Sequence, residues 1–135
     1  MTKAEARQTV KHHVKRRGED ELKVTDKLTR YWWNVLNTAV FDGKLNIPRK
    51  FIFRRFHQET LGYCVPLKRN GDVHLAIRSD LPSFSTFLTV LVHEMVHQWQ
   101  WVNHKHIAHG PSFYKWKPII EERVGLPLSR LVDID

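Results

Sequence analysis

The sequence predicts an α+β fold: a small antiparallel three-stranded sheet packed against one long helix, with further helices flanking it at the N- and C-terminal ends. Three observations predict it. Residues 83–102 repeat apolar side chains at helical spacing over about five turns. Residues 51–78 hold three short runs rich in β-branched and aromatic residues, with an Asn70-Gly71 turn signal between the last two. Capping residues and Gly or Pro stops bracket a helical segment before these runs and another after them.

Taken in order, residues 4–17 read as a short helix stopped at Gly18. Ala6, Val10 and Val14 are its only apolar edge. Residues 1–24 thus form a basic leader, which is either a solvated end or an arm lying on phosphate backbone. Thr25 or Asp26 caps the next helix, residues 27–41, which ends at Asp42-Gly43. Leu28, Trp32, Val35, Leu36 and Ala39 make its inward face. Trp32 at that spacing belongs to the core, whereas Trp33 points elsewhere; indoles of this kind also stack on bases. Strands are predicted over residues 51–56, 61–67 and 73–78, where Val73, Leu75 and Ile77 share one face. Pro111 opens a closing helix that runs to about Val124 and stops at Gly125, with Phe113, Trp116 and Ile120 facing inward.

The long helix carries the chemistry. It starts near Ser83 or Ser85, just after Pro82. Its stripe of Phe87, Leu88, Leu91, Val92, Met95, Trp99 and Val102 faces a core. His93 and His97 fall roughly opposite that stripe, with Thr86, Thr89, Gln100 and His104 on their side, so this front is predicted to face a cleft. In His93-Glu94-Met95-Val96-His97 the two imidazoles lie four residues apart, one turn apart on one face, and can hold one metal ion together. Glu94, beside the first ligand, is placed to act on water rather than to bind the metal. This is the pattern of a zinc hydrolase.

A catalytic zinc normally takes three protein ligands and keeps one position open. Gln100 and Asn103 occupy the positions where a metzincin would have Gly and His. Glu121 and Glu122 are available as a carboxylate ligand from a later helix. Between them lie His104, His106 and His109. His104 is about 10 Å along the helix axis from His97, far for a shared ion. His106 reads as a loop residue. His109 precedes Gly110-Pro111, a turn able to fold it back against the preceding helix, and is the best of the three.

The pairing of His93-Glu94-Met95-Val96-His97 with His109-Gly110-Pro111-Ser112-Phe113 resembles the SprT-like family of zinc metallopeptidases, which includes the Spartan proteases of DNA–protein crosslinks. Upstream, Trp33-Asn34 through Phe41-Asp42-Gly43-Lys44-Leu45 is similar to that family's first helix and its exit. Ala76-Ile77-Arg78-Ser79-Asp80-Leu81 is similar to its strand before the active-site helix. The resemblance covers residues 25 to about 125 and implies a zincin-like domain over 25–135. It also implies one Zn2+ on His93, His97 and His109, Glu94 as general base, and proteolysis of protein substrates at DNA. It further implies that residues 73–78 pair with an extended substrate. The sequence departs from the Spartan pattern in having no cysteine-rich or separate zinc-binding subdomain.

Composition sets the remaining expectations. At 135 residues, with 41% hydrophobic residues and five tryptophans, the chain is one folded domain. It has no apolar run long enough to span a bilayer and no signal-like segment. The single cysteine, Cys64, excludes an internal disulfide. Together these point to an intracellular protein without a membrane partner. A net charge of +8 with histidines neutral favours a polyanion such as DNA. Lys11, Lys15, Arg16, Arg17, Arg54, Arg55, Lys68 and Arg69 are the candidate contacts, although each taken singly also reads as solvated surface. A zinc-stabilised nucleic-acid-binding module without turnover explains the charge and histidines equally well. It leaves Glu94 unexplained, since a structural site needs no base.

Overall fold

A computed structural model describes residues 1–55, 60–68 and 71–128. The chain order is α1 (Lys3–Arg17), α2 (Asp26–Phe41), β1 (Lys50–Arg54), β2 (Gly62–Pro66), β3 (Val73–Arg78), α3 (Phe84–Val102), α4 (Pro111–Tyr114) and α5 (Trp116–Val124). The α+β class and the flanking helices are as the sequence predicts. The described part of the 51–56 strand ends at Arg54, and Phe56, Glu59, Arg69 and Asn70 lie outside the described residues.

Local chemistry sets the helix ends. Thr2 and Glu5 form a reciprocal capping box, with Thr2 Oγ1 accepting from the Glu5 N–H at 3.1 Å and the Thr2 N–H donating to Glu5 Oε1 at 3.0 Å. Thr25 caps α2 through the Leu28 N–H at 3.1 Å, and Ser83 caps α3 through the Thr86 N–H at 3.3 Å. Asp42 leaves α2 in the left-handed region at φ 58°, followed by Gly43 at 73°.

Helix α1 packs onto α2, α3 and α5 rather than standing off the domain. Ala6 and Val10 are fully buried, Arg7 Nε donates to the Ala39 carbonyl at 2.9 Å, and Lys3 pairs with Asp42 at 3.0 Å. The cationic face of α1, with Lys11, Lys15, Arg16 and Arg17, stays exposed. Arg17 lies 3.5 Å from Asp20.

The sheet differs from expectation in one pairing. Strand order is β1-β3-β2; β2 and β3 pair antiparallel, but β1 runs parallel to β3 with Phe51 opposite Leu75. The Asn70-Gly71 signal specifies the neighbouring pair alone. Strand β3 fills the slot between β1 and β2, and its run of Val73, Leu75, Ala76 and Ile77 is buried as a central strand requires. Residues 73–78 therefore cannot receive an extended substrate, because both edges of β3 are already hydrogen-bonded. Of the described strands, β2 is the outer one that packs against α3.

The predicted closing helix is broken at Lys115 into α4 and α5. Pro118 explains the break: it has no N–H for the carbonyl of Tyr114, four residues back, and its ring would clash there. Trp116, Ile120 and Val124 of α5 still enter the core. Arg123 donates to the Val40 carbonyl and lies 3.7 Å from Asp42, tying α5 to the end of α2.

Helix α3 runs through the middle of the domain, with β2 and β3 against one side and α1 and α2 against another. Trp33 is core: it is 1% exposed, and its indole N–H donates to Gln98 Oε1 at 3.2 Å. Gln98 Nε2 in turn donates to the Asn46 carbonyl at 2.7 Å. This chain fixes the rotation of α3 beside His97. Among the described residues no helix is long and apolar enough to cross a membrane.

Candidate metal centre

The histidine face of α3 is not an open cleft. His93 and Glu94 are fully buried and His97 is 1% exposed. The covering comes from the turn after α3, which brings His109 and then Phe113 of α4 back against the helix. Phe113 is itself fully buried, and its ring centre lies 4.8 Å from that of His93 and 4.9 Å from those of His97 and His109. An aromatic ring thus forms an apolar floor under three imidazoles.

Those imidazoles converge. Ring centres are 5.1 Å apart for His93–His97, 5.4 Å for His93–His109 and 5.1 Å for His97–His109. One nitrogen from each ring lies within 4.8 Å of the other two. Small ring rotations close such a set onto one ion with bonds of about 2.0–2.1 Å, and three imidazoles are donors that suit zinc. The donor chemistry therefore fits a single divalent transition ion. Only His109 of the three is half-exposed, so approach to the donors is from its side.

Gln100, fully buried on the next turn of α3, holds the arrangement together. Its Nε2 donates to the Ala108 carbonyl at 2.9 Å and to Ser112 Oγ at 2.9 Å. A carbonyl only accepts, so the amide orientation is set and Oε1 faces His97 Nδ1 at 2.7 Å. His97 Nδ1 is then the donor, which leaves Nε2 as the lone-pair nitrogen of the neutral ring. The same amide therefore orients His97 and clamps the residues on either side of His109. The sequence reading put Gln100 on the histidine side without giving it a role. Its signal was a polar side chain three residues after His97 on the same face.

Glu94 points toward the sheet. A Cβ built on Gly62, the first residue of β2, would lie 3.3 Å from Glu94 Cγ, 2.9 Å from Val90 Cγ1 and 2.8 Å from the Ala76 carbonyl oxygen. Only glycine lets β2 approach α3 this closely, so the Glu94 side chain packs against the start of β2.

The other candidates lie elsewhere. His104 ends α3 in the left-handed region at φ 59° and is exposed, as is His106. Glu121 pairs with Lys117, and both Glu121 and Glu122 are exposed on α5. Tyr114 packs edge-on against Phe113 at 5.1 Å between ring centres. Of the cations in the sheet region, Arg54 is exposed, Arg55 lies 3.4 Å from Asp80, and Lys68 is exposed after β2. Arg69 falls outside the described residues. These do not merge with the α1 cations into a single cluster in sequence or element.

A sequence model of the SprT-like family matches residues 29–131, a span that runs from α2 through the three histidines and α5. On that match, this chain belongs to the SprT-like family.

Proposed function

We propose that the protein is a zinc-dependent metallopeptidase acting on proteins held at or near nucleic acid. The observation that carries this reading is the convergence of His93, His97 and His109, with Glu94 one residue along the helix from His93. The three imidazoles would hold one Zn2+, which when bound supplies a Lewis acid and lowers the pKa of water.

The chain's own residues do the rest. Glu94 takes a proton from the attacking water and returns it to the leaving amine. Gln100 keeps His97 in the tautomer that offers Nε2 and keeps the His109 turn closed. Phe113 presents an apolar floor, which excludes water beneath the donors. The surplus of positive charge draws the protein to polyanions and concentrates it beside DNA-bound proteins.

A zinc-stabilised binding module without turnover is disfavoured. A structural site closes with a fourth protein ligand. Among the described residues no fourth His, Cys, Asp or Glu joins the three.

The test is zinc content and hydrolysis of a dye-labelled unfolded protein, measured on wild type and Glu94→Gln. The variant is expected to keep its zinc and to lose about 10²–10⁴-fold in rate, the usual contribution of a positioned base. Hydrolysis by Glu94→Gln at the wild-type rate would remove Glu94 from the mechanism.

A further inference from the structure

A cavity of about 330 Å³ lies at the N-terminal end of α3, where the last turn of α1 and the connection to α2 meet it. Its wall is aromatic. The Trp32 ring centre lies 5.1 Å from Tyr31, 5.0 Å from Phe84 and 5.1 Å from His13, and each pair meets at 65° or more. Rings set edge to face in this way make the corners of a cup rather than a flat stack. Trp32 and Phe84 are buried at its base and Tyr31 is 50% exposed at its opening. Backbone bonds hold the cup in shape. The Phe84 N–H donates to the Asp20 carbonyl at 3.0 Å and the Ser85 N–H to the Gly18 carbonyl at 2.9 Å, which ties the connection to the start of α3. His13 Nδ1 lies 2.9 Å from the Thr9 carbonyl; a carbonyl only accepts, so Nδ1 donates and Nε2 is left as an acceptor. The charge of the lining is opposite to that of the chain. Asp20, Glu21 and Arg17 give it one net negative charge with His13 neutral, against +8 for the whole. Arg17 lies 3.5 Å from Asp20, and among the described residues Glu21 has no ion-pair partner. Six of the nine lining residues precede residue 29, so most of the cavity is built outside the span matched by the family.

We infer that this cavity is a docking pocket for one arginine side chain of a partner protein, with the guanidinium against the aromatic wall and paired with Glu21. The volume is at the small end of the ligand-sized range of about 300–1,000 Å³ and suits one long side chain rather than a cofactor. Aromatic walls with a carboxylate at the mouth are complementary to a cation. A guanidinium fits better than an ammonium: it is planar, weakly hydrated, stacks on ring faces and gives a carboxylate two parallel hydrogen bonds. An anion would be repelled by Glu21, and an apolar side chain would gain nothing from it. The net charge of +8 narrows the partner further. It repels a polybasic segment over many residues, whereas a single arginine in a neutral or acidic segment meets only the local charge, since fields are screened beyond about 8 Å at physiological salt. The pocket is separate from the metal centre. Phe84 opens α3 and His93 lies nine residues on, about 13 Å along the axis.

The inference depends neither on hydrolysis nor on nucleic-acid association. It is tested by NMR titration of the tryptophan indole N–H signals of the full chain, with the Trp32 signal assigned from Trp32→Phe. The probes are the capped peptide Ser-Gly-Arg-Gly-Ser and its versions with citrulline, a neutral isostere, or lysine in place of arginine. The arginine peptide is expected to shift the Trp32 signal saturably. The citrulline peptide is expected to bind about tenfold more weakly or worse, as loss of a charge-assisted pair requires, and the lysine peptide about threefold more weakly or worse. Glu21 and Tyr31 are exposed, so their variants keep the fold. Glu21→Gln is expected to weaken arginine binding about fivefold or more, and Tyr31→Ala about 2–5-fold, the range for one exposed cation–ring contact. Glu122→Gln on α5 removes the same charge from another exposed site and is expected to leave binding within about twofold. No saturable shift at Trp32 up to about 10 mM arginine peptide would overturn the pocket. Equal losses from Glu21→Gln and Glu122→Gln would reduce the effect to net charge and overturn it as well. Lysine or citrulline peptides binding as tightly as the arginine peptide would overturn the choice of occupant.

Discussion

Replacing Gln100 by alanine tests the proposed metal-holding role of the loop after α3. Gln100 is fully buried and joins three groups: it accepts from His97 Nδ1 at 2.7 Å and donates to the Ala108 carbonyl and to Ser112 Oγ, each at 2.9 Å. In Gln100→Ala the buried His97 N–H loses this partner, while the exposed Ala108 carbonyl and the half-buried Ser112 hydroxyl can turn to water. At about 1–3 kcal/mol for a buried group whose partner is removed, the fold loses about 1–3 kcal/mol. The ligand loses its tautomer lock as well, and removal of such an outer hydrogen bond typically costs about 10–100-fold in metal affinity. Gln100→Glu divides the two effects. It keeps an acceptor for His97 but sets a carboxylate oxygen against the Ala108 carbonyl, so the His109 turn loosens while His97 stays oriented. Stability is read by denaturant unfolding followed through tryptophan fluorescence, and zinc affinity by competition with a chromogenic chelator. A folded Gln100→Ala variant that binds zinc within twofold of wild type would refute the reasoning, because the amide would then orient nothing that the ion needs.

Two further outcomes follow from the geometry. Gly62→Ala puts a methyl group 2.8 Å from the Ala76 carbonyl oxygen and 3.3 Å from Glu94 Cγ. Overpacking of this kind costs about 1–3 kcal/mol. Hydrolysis is expected to fall through kcat as Glu94 shifts, while zinc content stays at the wild-type level; an unchanged kcat would show that β2 does not set the position of Glu94. Asp42, at the end of α2, has its carboxyl held below the usual carboxylate range by the hydrogen bond from Lys3, with the charges of Lys3, Arg123 and Lys44 adding to it. A depressed folded-state pKa gives stability that is present above the unfolded value, near 3.9, and lost as pH falls through the lower folded value. The Tm gap between wild type and Asp42→Asn is therefore expected to be full at pH 6 and to shrink below about pH 4; a gap that widens on acidification would reverse the sign.

What could be read in the sequence was what local chemistry decides. Ser83, Thr25 and the Asp42-Gly43 exit specify their helix ends through contacts three to six residues long, and each end lies where the pattern put it. The spacing of His93 and His97 puts both on one helical face whatever surrounds them, and the Gly110-Pro111 turn brings His109 to the same point. The failures are non-local. Nothing within β1 says which edge of which strand it joins, so its parallel pairing with β3 was hidden, and with it the central place of β3 in the sheet. Trp33 was unreadable because its partner Gln98 lies 65 residues away. The burial of the histidine face was missed because the Phe113 floor arrives from a different element. Pro118 was the one local signal passed over: its missing N–H and bulky ring break the closing helix at Lys115.

The most direct test of the metal centre is zinc K-edge absorption on protein loaded with one equivalent of Zn2+, beside His109→Ala prepared in the same way. The account predicts three imidazole nitrogens and one exchangeable light-atom ligand, all near 2.0–2.1 Å, with one imidazole lost in the variant. Four protein donors in the wild type, or an unchanged imidazole count in His109→Ala, would contradict it.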